Sequence, residues 1–361
     1  MHFKDRNRAA RLLAGLLSAV LLTCGTAGTA LADTNIVTAD VPADTGSAAK
    51  DSFYAVSAQS AEQANALLSG KTSSQTDSTI GLGGATITMI RGNATEQQLC
   101  IVIRSSDGKT IVVDGGMPNN ASYLGNYIKT HGGRVDAWLI THAHQDHIGA
   151  LLAILKNQKT QKAGTEFSQF AISDIYFSFA PLEFYQAHEE TYRMPTVMDA
   201  FTTLSQQDPA RLHSNSPAGT SFNVGNINVK IMNQPYMTTI DSGNNTSIAY
   251  MITINGKRLL ILGDMPYEAS EILLKMYQPQ DLKADIVQIA HHGQHGASLR
   301  FYQTVHPACA LWPTPESLWA QRTQPFDPNQ TTYTIALTRY WMDSIGVQHN
   351  YVMADGNWTL S

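Results

Sequence analysis

Thr141-His142-Ala143-His144-Gln145-Asp146-His147 follows directly on the apolar run Ala137-Trp138-Leu139-Ile140. Three histidines and a carboxylate therefore fall within six residues, immediately behind a segment that reads as a buried strand. Side chains at i and i+2 of an extended chain share a face, so His142 and His144 can converge on one metal ion. Asp146 and His147 follow on the turn, within reach of a second ion. The plain alternative is a histidine-rich surface loop without metal, but ordinary loops rarely pack four potential ligands so densely beside a buried strand. Imidazole and carboxylate suit zinc, manganese or iron, and the lack of cysteine here argues against a closed structural zinc site.

Two later stretches carry the same kind of residue at strand ends. Gly263-Asp264 closes the apolar run Arg258–Leu262, and His291-His292-Gly293 closes the run Asp285–Ala290. Ligands at strand ends on one rim of a sheet sandwich can meet in a single cleft even when they are distant in sequence.

His-x-His-x-Asp-His behind a hydrophobic strand, followed by these two segments, resembles the metallo-β-lactamase superfamily from about Ala85 to Pro313. The resemblance implies an α+β fold, an αββα sandwich, and a centre of two divalent metal ions, zinc or alternatively manganese. It implies that His142 and His144 serve the first ion, Asp146 and His147 the second, and that Asp264 bridges them. One of His291 and His292 is the last ligand of the second ion. The first of the pair follows the strand directly, and the other would hydrogen-bond substrate or donate a proton. The metal set is thus His142, His144, Asp146, His147, Asp264, His291 and His292, and the catalytic set is Asp146, His291 and His292. Asp114, in Asp114-Gly115-Gly116, resembles the aspartate that supports the metal loop from behind, with a turn residue as the alternative. The chain departs from the superfamily pattern in one respect. His188 and His213 lie between His147 and Asp264, but neither has the expected strand and Gly-His context. The first ion is left with His142, His144 and Asp264, and Asn245 is either a further ligand or a plain turn residue.

Asn244-Asn245-Thr246-Ser247 before a hydrophobic hairpin, Leu262-Gly263-Asp264 after it, and Ala284-Asp285-Ile286-Val287 ahead of His291-His292-Gly293 sharpen the likeness. This wording is similar to the hydrolase domain of ComEC-type DNA-uptake proteins, here without that protein's channel helices; secreted phosphorylcholine esterases have a related layout. The implied activity is hydrolysis of a phosphodiester in a small molecule or a polymer such as a cell-wall or nucleic acid. An acyl hydrolase (β-lactamase or lactonase) using the same centre is the second reading, and a non-catalytic cell-wall-binding module the third.

Residues 1–32 read as a secretory signal. Lys4, Arg6, Arg8 and Arg11 form a basic region, Leu12 to Leu22 an apolar core, and Ala30-Leu31-Ala32 a small-x-small cleavage site. The core is shorter than the ~20 residues a membrane span needs; acylation at Cys24 is a minor alternative. The expected product is exported, secreted or cell-surface, without stable membrane insertion. Removing the +3 of these residues from the whole-chain −5 leaves −8. That sign works against nonspecific affinity for a polyanion such as DNA, although it leaves room for a local basic groove. Cys100 and Cys309 remain, both inside apolar segments, and read as buried free thiols.

Residues 33–80 are rich in Ser, Ala, Thr, Asp and Gln and read as a polar, disordered arm, with a short helix at Ala61–Leu68. From Gly81 to the end the texture is that of the hydrolase domain. Strands are expected at Thr86–Ile90, Leu99–Arg104, Lys109–Val113, Ile172–Phe177, Ile227–Met232 and Ala308–Trp312, among others. Helices are expected at Ser122–Thr130, Ile148–Leu155, Thr196–Gln206 and Tyr333–Ile345, and a last hairpin around Ala354-Asp355-Gly356. Lys156 to Ala218 fits the common pattern least. Its aromatics (Tyr176, Phe177, Phe179, Phe184, Tyr185 and Tyr192) read mostly as a local core, or else as one wall of a cleft.

Overall fold

β-Branched and apolar runs separated by glycine-containing turns build two seven-stranded sheets. The computed structural model describes residues 80–92, 95–160, 166–324 and 334–361. The signal-like segment, the polar arm up to residue 79 and the helix expected at Ala61–Leu68 lie outside the described residues.

The strands are β1 Thr86–Met89, β2 Cys100–Arg104, β3 Thr110–Asp114, β4 Arg134–Leu139, β5 Ala171–Phe177, β6 Leu212–Ser214 and β7 Ser221–Val224. They continue as β8 Ile227–Ile231, β9 Tyr250–Ile254, β10 Lys257–Ile261, β11 Ile286–Gln288, β12 Cys309–Trp312, β13 His349–Val352 and β14 Trp358–Leu360. The first sheet runs β14-β1-β2-β3-β4-β5-β6 and the second β13-β12-β11-β10-β9-β8-β7. Each is antiparallel at one end and parallel at the other: β3 to β6 and β10 to β13 pair in parallel. The longer helices are α1 Ala121–Thr130, α2 Gln145–Thr160, α3 Leu182–His188, α4 Met194–Leu204, α5 Tyr267–Met276, α6 Leu299–Val305 and α7 Ile335–Ser344.

Period-two alternation sends the residues of the first sheet's central strands to one of two cores. Ile101, Ile103, Ile111, Val113, Ala137 and Leu139 face the second sheet, where Ile252, Ile254, Leu259, Ile261 and Leu311 meet them. Cys100, Val102, Val112, Trp138 and Ile140 point the other way, against α1, α2 and α4. Burial on both faces is why these strands read as unbroken apolar runs rather than alternating ones. Asn255 and Gly256 both take positive φ, 48° and 78°, joining β9 to β10 by the tight turn the Asn-Gly pair predicts. Cys100 and Cys309 are both buried and free. None of the described helices is long and apolar enough to cross a membrane.

Two expectations are corrected, and a third segment is placed. The helix expected from Ile148 begins at Gln145, so Asp146 and His147 lie on its first turn and not on a preceding loop. The expected terminal hairpin does not form. β13 joins the second sheet beside β12, whereas β14 crosses to the first sheet and pairs with β1. The segment from Lys156 onward adds β5 and β6 to the parallel edge of the first sheet, and α3 and α4 pack beside α2. Phe177, Phe179 and Tyr185 are buried in that layer, but Tyr192 is 71% exposed and stands at the cleft described next.

Candidate metal centre

The loop after β4 is tied to both sheets. Ile248 N donates to Thr141 O at 2.8 Å and Tyr250 Oη to Ile140 O at 2.8 Å. Below it, Asp114 accepts from Thr141 N at 2.7 Å through Oδ1, and from Thr141 Oγ1 at 2.8 Å through Oδ2. His147 Nδ1 lies 2.7 Å from the same Oδ2. Asp114 therefore fixes the loop and the imidazole in one stroke, and its own backbone adopts φ 56° to do so.

Asp264 enters from the second sheet. Gln288, fully buried, clamps the end of β10: its Oε1 accepts from Leu262 N and Gly263 N, and its Nε2 donates to Gly263 O. Gly263 is required there, since its φ is +58° and a Cβ would stand 2.6 Å from Thr141. Ser247 Oγ accepts from Asp264 N at 3.3 Å.

His291 and His292 have consecutive left-handed conformations, φ 51° and 55°. Such residues each cost about 1–3 kcal/mol and persist where the surroundings over-determine them. Here His292 Nδ1 lies 2.8 Å from Pro313 O, and Thr314 Oγ1 donates to His292 O at 2.7 Å.

Two groups of potential ligands result. Asp146, His147, Asp264 and His292 form one; His142, His144 and Asp264 form the other, with Asp264 common to both. Asp264 Oδ1 is 3.0 Å from His147 Nε2, and Oδ2 is 3.5 Å from His292 Nε2 and 3.9 Å from His142 Nε2. His292 Nε2 stands 3.1 Å from Asp146 Oδ2, which also accepts from Gln97 Nε2 at 3.2 Å.

The backing contacts decide which ring nitrogen faces inward. His147 and His292 have Nδ1 held by Asp114 and Pro313 O, and His142 has Nδ1 3.1 Å from Thr141 Oγ1. All three present Nε2 to the centre. Buried His142 Nε2, His147 Nε2 and Asp264 Oδ1 have no hydrogen-bond partner among the described residues. An unsatisfied buried polar group costs about 1–3 kcal/mol, and three aimed at one space fit a cation's coordination shell. The donor set of imidazole and carboxylate suits zinc, manganese or iron.

The electrostatics agree. Burial opposes charge on Asp264, but His147, His292 and His291 hold its carboxyl well below the usual range. Burial would depress the imidazoles too; for His292 the carboxylates of Asp264 and Asp146 outweigh it and lift the value to about 9. Burial, with His147 and His144 beside it, pushes His142 well down, leaving its ring neutral.

The structure separates the paired histidines. His292 joins the ligand group; His291 belongs to neither group, its Nε2 being 3.8 Å from Asp264 Oδ2 and 3.3 Å from Asn244 Nδ2. The left-handed turn rotates the second histidine, not the strand-proximal one, into the centre. Of the two readings of Asn245, the turn residue holds: its Nδ2 donates to Ile240 O and its Oδ1 accepts from Ala269 N. The neighbouring Asn244 faces the centre, with Oδ1 buried and without a partner among the described residues. His213 pairs instead with Asp174 at 2.8 Å, and His188 belongs to neither group.

A cleft of about 460 Å³ opens over the centre. His144, Asp146, Asp264 and His291 form its floor, and Gln97, Met117, Tyr192, Arg193 and Leu318 stand around it. Replacing each histidine of the pair should separate their roles. His292→Ala should lose one of two metal equivalents in elemental analysis after dialysis, while His291→Ala should keep both and lose turnover. Equal metal loss in the two variants would refute the separation.

Residues 94–196 match the family model described as "Metallo-beta-lactamase superfamily". ComE operon protein 3 of Bacillus subtilis (strain 168) is 20% identical over 179 residues, 49% of this chain but only 20% of that relative's own length. Among solved structures, the metallo-beta-lactamase fold protein YhfI from Bacillus subtilis aligns with 76% of this chain and 99% of its own, at 14% identity and a TM-score of 0.45. Unliganded yeast PDE1 aligns over the same shares at 12% identity and a TM-score of 0.45. The HxHxDH loop lies inside the matched residues, and the two mixed sheets flanked by helices form the α+β sandwich of the metallo-β-lactamase fold.

Proposed function

We propose that this protein is an exported metal-dependent phosphodiesterase with a dinuclear centre. The observation that carries the reading is the pair of ligand groups that share Asp264 on the floor of an open cleft. Divalent cations held there supply a nucleophile from water near neutral pH and stabilise charge on both sides of an in-line displacement.

The chain's own groups divide the remaining work. Asp264 lies between the two groups of imidazoles and stays ionised. Asp146 is oriented by Gln97 and His292. His291 is pushed below the ordinary histidine range, chiefly by burial and then by His292, so its ring is neutral near pH 7. Asn244 Nδ2 donates to its Nε2, so the ring proton resides on Nδ1. In this reading the His291 ring, which lines the cleft, hydrogen-bonds a substrate or leaving-group oxygen. Arg193, 5.3 Å over the Tyr192 ring and paired with Glu190, forms with that ring the side of the cleft along which a phosphodiester's substituent would extend.

The similarity to ComE operon protein 3 and the His-His-Gly wording support a phosphodiester over an acyl substrate, and the net −8 of the chain beyond residue 32 favours a small molecule or cell-wall polymer over long DNA. Turnover of bis(p-nitrophenyl) phosphate, nitrocefin and a lactone by metal-loaded protein tests this. Cleavage of the first alone is expected. Cleavage of nitrocefin or the lactone alone would replace the reading with an acyl hydrolase, and inertness toward all three with intact metal uptake would leave a binding module.

A further inference from the structure

The first ligand group has one residue fewer than the second, and the segment after β5 places a carboxylate behind one of its imidazoles. Glu189, at the C-terminal end of α3, is a carboxylate whose side chain is 1% exposed, and its Oε2 lies 3.3 Å from His144 Nε2. Its other carboxylate oxygen is held from the far side. Arg193 NH1 is 3.9 Å from Glu189 Oε1, and Glu190 N donates to the same oxygen at 2.9 Å.

Gly243 records how tightly this pair is held. A Cβ there would stand 2.0 Å from Glu189 Oε2 and 2.2 Å from His144 Nε2. The adjoining Ser242 Oγ donates to His188 O at 2.9 Å, which pins the end of α3 beside the Asn244 turn. This segment and the second sheet's ligand loop thus close on opposite sides of one imidazole.

We infer that Glu189 is a positioning residue of the metal centre, holding His144 Nε2–H so that Nδ1 faces the first position. His144 then binds through the opposite nitrogen from His142, His147 and His292, whose Nδ1 atoms are the ones held from behind. A carboxylate behind a metal-bound imidazole fixes its tautomer and raises its basicity, and losing it typically weakens metal affinity by about 10–100-fold. Among the described residues this position groups three ligands, His142, His144 and Asp264, so the support of one imidazole weighs more here than at the four-residue position.

This inference rests on the dinuclear reading, and the test separates the two. Metal-free full-length wild type, Glu189→Gln and Glu189→Leu would be titrated with Co²⁺ against a chromophoric chelator, recording equivalents, affinities and the cobalt absorption bands, with thermal melting as a check on folding. In Glu189→Leu the weaker equivalent should lose about 10–100-fold in affinity with altered bands, while the tighter one stays unchanged. Glu189→Gln matches the shape and keeps an acceptor oxygen without the charge, so its loss should fall near the lower end, about tenfold. Wild-type affinities and bands in both variants, or equal weakening at both positions, would overturn the role of Glu189 while leaving the centre intact. Fewer than two equivalents in saturated wild type would overturn both readings.

Discussion

Asp264→Ala should empty both metal positions and lower phosphodiester turnover by more than about 100-fold, beyond the loss typical of a supporting residue. The carboxylate is common to both ligand groups, with one oxygen 3.0 Å from His147 Nε2 and the other 3.9 Å from His142 Nε2. Removing a ligand of one position leaves the other its own set. Removing the shared carboxylate takes a ligand from each and deletes the negative charge that lets two cations sit close together. His142→Ala should therefore empty only the first position and Asp146→Ala the second. Elemental analysis after exhaustive dialysis, with turnover on an aryl phosphodiester, ranks the three. Two retained equivalents and normal turnover in Asp264→Ala would remove its bridging role.

The second large effect is expected at Asp114, which touches no substrate. It is fully buried and satisfies Thr141 N–H, the Thr141 hydroxyl and His147 Nδ1. Asp114→Ala leaves all three without their acceptor. Breaking one partner out of a buried charged network costs about 3–5 kcal/mol. At roughly 2–4 °C per kcal/mol for a domain of ~150–250 residues, the melting temperature should drop by about 6–20 °C. The second metal position should weaken as well, because His147 loses the contact that fixes its ring. Asn suits a left-handed backbone, so Asp114→Asn should keep the turn and lose less stability, about 1–3 kcal/mol for the one acceptor it turns into a donor. A melting temperature within a degree or two of wild type for Asp114→Ala would mean that the loop is held by its backbone contacts alone.

The HxHxDH stretch was legible because its chemistry is local: the ligand types stand adjacent and the strand ahead of them is apolar on both faces. Asp264 was legible for the same reason, as a carboxylate at the end of an apolar run. What failed to show was whatever depends on backbone handedness. Two consecutive left-handed residues at His291-His292 have no marker in side-chain pattern, and they reverse the order expected from a continuing strand. The contact of Asn244 with His291 was hidden likewise, since it depends on a one-turn helix at Ser242–Asn245. Glu189 and Gln288 left no signal at all. Each is an ordinary polar residue in its own segment, and only tertiary contacts place them behind His144 and the Asp264 loop. The terminal pair β13 and β14 was misread because a short connection between strands usually makes a hairpin, and nothing local says that the chain changes sheets.

That change of sheets fixes when the fold can be completed. β14 pairs with β1, Ile87 facing Leu360, and Ile80 N donates to Ser361 O. β13 finishes the opposite sheet at almost the same point in the chain. Neither sheet is complete until residues 349–360 have paired, and contacts this remote in sequence slow folding because the loop entropy is lost before the pairing compensates it. Until then β1 and β12 have bare edges able to pair with other chains. A chain in which the stretch from β13 to β14 has not yet paired therefore has an open edge on each sheet, both available to association.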